Sequence, residues 1–358
     1  MAEASVRYGV ILRAIVLSVC FAVTGAAAAD LSAEQAYTLV VQKPWTPSPT
    51  PKPDELAAAR KALDAAAAKE SGSARWSYAL GHLASLEARS LKGDAAEEKR
   101  EEAVDHFEKA TERDPKNADY LFWLADASFE RIDDVNMLSK MSLASDGRKA
   151  YEKAVSIDPQ HVGAHVGLGQ YYMQAPGIAG GSVDKAKKEG ETLIAIPGGR
   201  GAFQGNMLLA GIAAKAQDWG EMSRRYTAAE TASGDGANPA VAMRSQAWLL
   251  LHEKKDAKAA QPVMDRYLKI ASPDDLTALF LDGEVKRELG RCADALPRYA
   301  QVLAKYPAAV GSRWGSAVCH EAVGQKDAAR RDYEEFIKRF PEDEKAKDAK
   351  AAVKRLSG

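Results

Sequence analysis

Ala329-Arg330-Arg331-Asp332-Tyr333-Glu334-Glu335-Phe336-Ile337-Lys338-Arg339-Phe340-Pro341 is the stretch whose reading decides the fold. Ala329, Tyr333 and Phe336 stand 12, 8 and 5 residues before Pro341. The same offsets before Pro307 give Ala295, Tyr299 and Val302, and before Pro115 they give Ala103, Phe107 and Ala110. Before Pro159 they give Gly147, Tyr151 and Ala154. A small residue, an aromatic or apolar one and a helix-ending proline at fixed spacing describe one amphipathic helix that recurs. Pro307 and Pro341 are 34 residues apart, which sets the period.

Counting one period on from Pro159 brings up Leu168-Gly169-Gln170-Tyr171-Tyr172. Leu80-Gly81, Leu209-Ala210, Gly283 and Ala317 occupy the same slot in other copies. These two sets of residues resemble the first and second helices of the tetratricopeptide repeat. The resemblance covers about Trp76 to Pro341 and implies an all-α tetratricopeptide right-handed superhelix, an α-solenoid of about seven helix pairs. The pairs are expected at 74–115, 118–159, 162–198, 200–234, 239–272, 275–307 and 309–341. The fifth fits least well, because Pro262 falls early in its second helix. Residues 343–356 read as a polar amphipathic closing helix, and Glu55–Lys69 as a cap at the other end.

The chain has three expected parts: 1–29, 30–53 and 54–358. Arg7 and Arg13 precede or flank an apolar run, Ala14–Val23, which exits through Ala26-Ala27-Ala28-Ala29. That is the pattern of a secretory signal peptide, with cleavage expected after Ala29 and a periplasmic or secreted mature protein. The run is too short for a spanning helix of roughly 20 apolar residues, and no later segment could cross a bilayer. Leu17-Ser18-Val19-Cys20 departs from the lipoprotein pattern, which usually carries Gly, Ala or Ser where Val19 stands. Pro44, Pro47, Pro49, Pro51 and Pro53 make residues 30–53 a short N-terminal piece followed by an extended spacer.

Composition removes some classes of function. Hydrophobic residues are 46%, charged residues 28%, and the formal net charge is -1, so the basic excess of a nucleic-acid binder is missing. His161 and His165 lie four apart but lack the glutamate of an HExxH zinc motif. Gly180-Gly181 is not followed by the lysine of a phosphate-binding loop. No nucleophile elbow or CxxC motif occurs, so neither enzymatic activity, nor a cofactor, nor a metal site is expected.

Two connectors depart from the plain repeat. Pro115 to Pro159 is 44 residues, and the surplus around Ile132–Leu143 reads either as an extension of the second helix packed on its neighbour or as a partner-binding flap. Pro176-Gly177-Ile178-Ala179-Gly180-Gly181-Ser182 reads as a helix stop, an irregular turn and a new cap at Ser182 or Asp184. This block resembles a subset of exported bacterial tetratricopeptide proteins that share a Pro-Gly-Ile-x-Gly-Gly-Ser connector.

The family resemblance implies that the first helix of each pair lines a concave groove. Its exposed slots include Tyr78, Phe122, Phe129, Gln170, Met207, Phe280 and Trp314, an apolar row suited to a protein or peptide partner. The basic residues with which some family members clamp a C-terminal carboxylate are missing: the second slot reads Asp119, Gly163, Gln204, Ala242, Thr277 and Gly311. A more distant likeness, to repeat proteins that accompany TRAP-type transporters, implies the alternative of a small-molecule or lipid-binding accessory. The repeat register also sets Cys292 at the start of one helix beside Cys319 near the end of its antiparallel neighbour, and predicts a disulfide.

Overall fold

The computed structural model of the chain describes residues 31–41, 51–232, 234 and 236–357. The expected signal peptide, Cys20 and the prolines at 44, 47 and 49 lie outside these residues. Among the described residues there are seventeen α-helices and no strand, as the alanine-, leucine- and glutamate-rich periodicity predicts.

The helices fall in pairs where the repeat register puts them. They are α3 (Ala74–Ser90) with α4 (Asp94–Arg113), α5 (Ala118–Glu130) with α6 (Met137–Ile157), and α7 (Val162–Gln174) with α8 (Val183–Ala195). Then come α9 (Gly199–Lys215) with α10 (Trp219–Thr231), α11 (Pro239–His252) with α12 (Ala257–Ile270), α13 (Leu276–Glu288) with α14 (Cys292–Lys305), and α15 (Val310–Ala322) with α16 (Lys326–Arg339). Two helices precede them, α1 (Ala33–Val40) and α2 (Pro53–Lys69), and α17 (Ala346–Leu356) follows.

The chain divides into two compact units. One runs to Leu208 and takes in Gly234 and Gly236; the other comprises Leu209–Ala232 and the residues from Ala237 on. In the first unit α1 and α2 cover the start of the stack. Ala36, Val40, Leu56, Ala59 and Leu63 form one apolar cluster with Trp76, Leu80 and Leu83 of α3. In the second unit α17 closes the stack by burying Ala349 and Ala352 against Ala317, Ala329, Tyr333 and Phe336. A pair cannot bury its apolar faces alone, so each unit depends on these covers.

Close approach of helix backbones explains the small residues of the pattern. Tyr299 of α14 is fully buried and lies against Gly283 of its own pair and Gly315 of the next. A Cβ at Gly283 would come within 2.8 Å of the tyrosine ring, and one at Gly315 within 2.7 Å of its hydroxyl. That hydroxyl donates to Glu284 Oε1 at 2.5 Å, so the ring is anchored at both ends.

Pro262 does not break the fifth pair. It sits inside α12, and Pro297 occupies the equivalent place inside α14. Both prolines are exposed, as are Lys258 and Ala293 four residues earlier. The carbonyls that lose their helical partners therefore face water, which lowers the cost of an interior proline.

The long second pair places its surplus in α6, whose 21 residues exceed the 13 or 14 of the second helices in the later pairs. A 3-10 turn, Ile132–Asp134, precedes it, and Asn136 caps it by accepting from the amides of Leu138 and Ser139. The expectation of a helical extension holds. Ser139, Lys140, Leu143 and Ala144 of it are half-buried, whereas Met137, Leu138 and Met141 are exposed.

Replacing Gly315 with alanine should lower stability by about 1–3 kcal/mol through overpacking, read as a reduced denaturant midpoint. An unchanged midpoint would show that Tyr299 is free to move aside.

Candidate interaction surface

The apolar row expected to line a groove has an uneven fate. Tyr78 on α3 is buried; its ring meets His82 and Tyr120 at centroid distances of 4.6 Å each. Phe122 on α5 is also buried, between Trp123 at 5.2 Å, His161 at 5.1 Å and Tyr151 at 6.0 Å. As ligand anchors these two have to be corrected: they fill the seam between consecutive pairs. Phe129 is half-buried and stacks on Tyr151 at 5.7 Å.

Gln170, Met207, Phe280 and Trp314 are also half-buried. Phe280 gives one face to the backbone of the next pair, where a Cβ at Gly311 would come within 2.8 Å of the ring. Phe122 meets Gly163 in the same way, at 2.9 Å. At these two places a phenylalanine of the first helix rests on a glycine near the start of the following repeat, whereas Tyr78 is followed by Asp119 at that position. Trp314 packs edge-on against Tyr333 at 5.6 Å and Phe336 at 5.5 Å, while Lys345 Nζ lies 5.7 Å from its ring centre. In the second unit Phe280, Trp314 and Val318 keep partial exposure. The polar slots between them hold ion pairs, Arg287–Glu284 at 2.8 Å and Arg355–Glu321 at 2.5 Å.

The motif reading passed over a pair of polar networks inside the last two repeats. Asp282 is fully buried and accepts from Arg298 at 2.7 Å and Lys286 at 2.5 Å. One period later the corresponding residues are Ser316, His320 and Asp332 (282 + 34, 286 + 34 and 298 + 34). Here the carboxylate comes from the second helix: Asp332 accepts from Ser316 at 2.6 Å, meets His320 Nδ1 at 2.9 Å and pairs with Arg313 at 3.2 Å. The sign of charge is exchanged between the two helices while the slots stay the same. That exchange is visible in the sequence once residues are compared at the repeat offset.

The two histidines at metal-compatible spacing are engaged separately. His161 caps α7, its Nδ1 accepting from the Ala164 amide at 3.0 Å, and its Nε2 lies 3.1 Å from Asp119. His165 has both ring nitrogens on acceptors: Nδ1 lies 2.6 Å from Glu189 Oε2 and Nε2 lies 3.0 Å from the Pro159 carbonyl. Only the doubly protonated ring donates to both. Burial opposes that charge, but the Glu189 and Pro159 contacts outweigh it and raise the pKa. His82 is the opposite case: burial pushes it down to about 3, and its Nε2 has no hydrogen-bond partner among the described residues.

Cys292 and Cys319 meet inside the second unit with a Cα–Cα distance of 4.8 Å, within the range a disulfide requires. Neither the first residue of α14 nor the tenth of α15 is exposed.

The sequence profile of the tetratricopeptide repeat family matches residues 94–131 and 281–344. No curated protein sequence matches the chain. Among solved structures, a tetratricopeptide repeat protein from Parabacteroides merdae is 15% identical, with 74% of this chain and 92% of that one covered and a TM-score of 0.49. Yeast Tom70 is 13% identical, covers 90% and 61% of the two chains, and gives 0.49. YrrB, described as a TPR protein with an unusual peptide-binding site, is 17% identical over 69% and 99%, with 0.36. The profile match and the seven helix pairs identify the fold as all-α tetratricopeptide. Proteins of this fold are in general interaction scaffolds without catalytic activity.

The raised pKa of His165 predicts a pH-dependent contribution. Its stabilisation is fully present below the unfolded value, about 6.5, and is lost as pH rises through the higher folded value. Glu189→Gln should therefore cost on the order of 1.5–3 kcal/mol at pH 5.5 and progressively less as the pH is raised through the folded value, measured by chemical denaturation. A loss that does not change with pH would show that the Glu189 contact is not linked to protonation of the ring.

Proposed function

We propose that this chain is an exported, non-catalytic scaffold that holds a peptide or protein segment along the first-helix face of its repeats. The observation that carries the reading is the partial exposure of Phe280, Trp314 and Val318 on the second unit. Phe280 packs on the cluster of Cys292, Ala295 and Tyr299, and Trp314 and Val318 on that of Tyr333 and Phe336, and each keeps part of its surface open. Side chains with one face held and another open lose little freedom on binding, which favours them as anchors. The neighbouring ion pairs at Arg287 and Glu321 supply polar rim contacts and set the register of an extended segment. The double variant Phe280→Ala/Trp314→Ala should lose the partners captured by the wild type at a temperature where circular dichroism shows both folded. An exposed control, Tyr306→Ala, should keep them. An unchanged set of partners in the double variant would remove this face as the binding surface.

Export is supported by the signal-like start of the sequence and by the meeting of Cys292 with Cys319, a pairing suited to an oxidising compartment. Protein recovered from the periplasm should begin at Asp30 and accept maleimide only after reduction. Recovery in the cytosol with Met1 retained and both thiols reactive would overturn it.

A further inference from the structure

Exposed apolar side chains are not spread evenly over the first unit. Of the seven large apolar residues exposed there among the described residues, Leu91, Met137, Leu138, Met141, Ile178 and Val183 lie at the turns that join the first helix of a pair to its second or in the first residues after them, and only Ile157, at 38% the least exposed, stands at the far end of α6. In an antiparallel stack these turns share one edge. Ile178 is 98% exposed at the tip of a fixed turn. Tyr171 donates its hydroxyl to the Ala179 carbonyl, the Ser182 amide donates to the Tyr172 carbonyl at 2.8 Å, and Gly180 adopts φ 89°.

The overhang of α6 carries the largest share of this surface. Met137, Leu138 and Met141 are 72%, 79% and 60% exposed. At i, i+1 and i+4 they share one helix face. A free helix end normally presents polar residues, so two methionines and a leucine require a reason. Unbranched, polarisable methionines suit a surface that adapts to a partner's shape.

Beside the overhang lies an open cleft of about 310 Å³, lined by Asp94, Glu97, Glu98, Glu101 and Asp134 with Arg131 and Val135. Val135 stands two residues before Met137, so cleft and stripe are within about 7 Å along the chain. Arg131 is held by Glu101 at 2.5 Å, and Asp134 accepts from Arg100 at 2.7 Å. Asp94, Glu97 and Glu98 have no ion-pair partner among the described residues. Two of them, Asp94 and Glu97, suit the first turn of α4; Glu98 has no such role.

We propose that this edge docks a basic amphipathic helix of a partner protein, its apolar face on Met137, Leu138 and Met141 and its lysines or arginines in the cleft. The surface is distinct from the first-helix row proposed above, and neither proposal depends on the other. Apolar contact next to Asp94, Glu97 and Glu98, carboxylates without a direct ion pair, selects against acidic or purely apolar occupants and gives salt-sensitive association.

The test uses the mature full-length protein and a fluorescent synthetic helix of leucine and lysine, with a leucine–glutamate helix as control, followed by anisotropy. The leucine–lysine probe should bind, and weaken with added salt, while the control should not. Met137→Ser/Leu138→Ser and, separately, Glu97→Lys/Glu98→Lys should each weaken binding by about tenfold or more. All four positions are exposed, and melting curves verify that the variants remain folded. Equal affinity of wild type and both variants would overturn the proposal. Sedimentation showing a dimer that Leu138→Ser dissociates would assign the edge to a second copy instead. Binding to anionic vesicles that Leu138→Ser abolishes would assign it to lipid, and either result overturns the proposal as well.

Discussion

An aromatic ring lodged against a glycine is the contact on which the stack depends. Tyr299 rests on Gly283 within its pair and on Gly315 in the next, Tyr151 on Gly167, and Phe107 on Gly81. Each contact sets how closely two helix axes approach, because a single added methyl has nowhere to go in a packed interior. Once that separation is set, the second-helix aromatic reaches the following pair, as Tyr299 reaches Gly315. In the first unit α1 with α2, and in the second unit α17, bury apolar faces that the pairs leave open.

Fold and surface compete for the same residues. Tyr78 and Phe122 sit in slots that could face a ligand, yet they are buried between repeats, and Phe122 demands Gly163 in return. Phe280 and Trp314 are divided between the two demands, one face packed and one open. The polar networks around Asp282 and Asp332 show another economy. Charge inside a repeat is tolerated where each carboxylate meets several donors, since an unpaired one would be costly. Exchanging its sign between neighbouring repeats gives each pair a distinct internal match. That distinguishes the two copies from one another although their aromatic and small residues agree.

Much of the fold was legible in advance. The offsets before Pro115, Pro159, Pro307 and Pro341 locate the second helices, and the Leu-Gly slots locate the first; every expected pair has its two helices. The site was less legible. A slot number states which way a side chain leaves its helix, but whether the neighbouring pair covers it depends on what that neighbour contributes. Gly163 and Gly311 read only as non-basic residues until Phe122 and Phe280 were seen resting on them. The weakness expected at Pro262 dissolved for a related reason, because burial, not the presence of proline, decides whether a freed carbonyl is costly.

By itself the sequence determined the all-α class, the period, the pairing of helices and the proximity of Cys292 to Cys319, all consequences of spacing along one chain. Only tertiary structure decided which aromatics stay exposed, that α6 overhangs with Met137, Leu138 and Met141 bare, and that an acidic cleft stands beside them. Spacing is a local property set by helix geometry. Exposure is a property of two surfaces at once, and it exists only after neighbouring repeats have met.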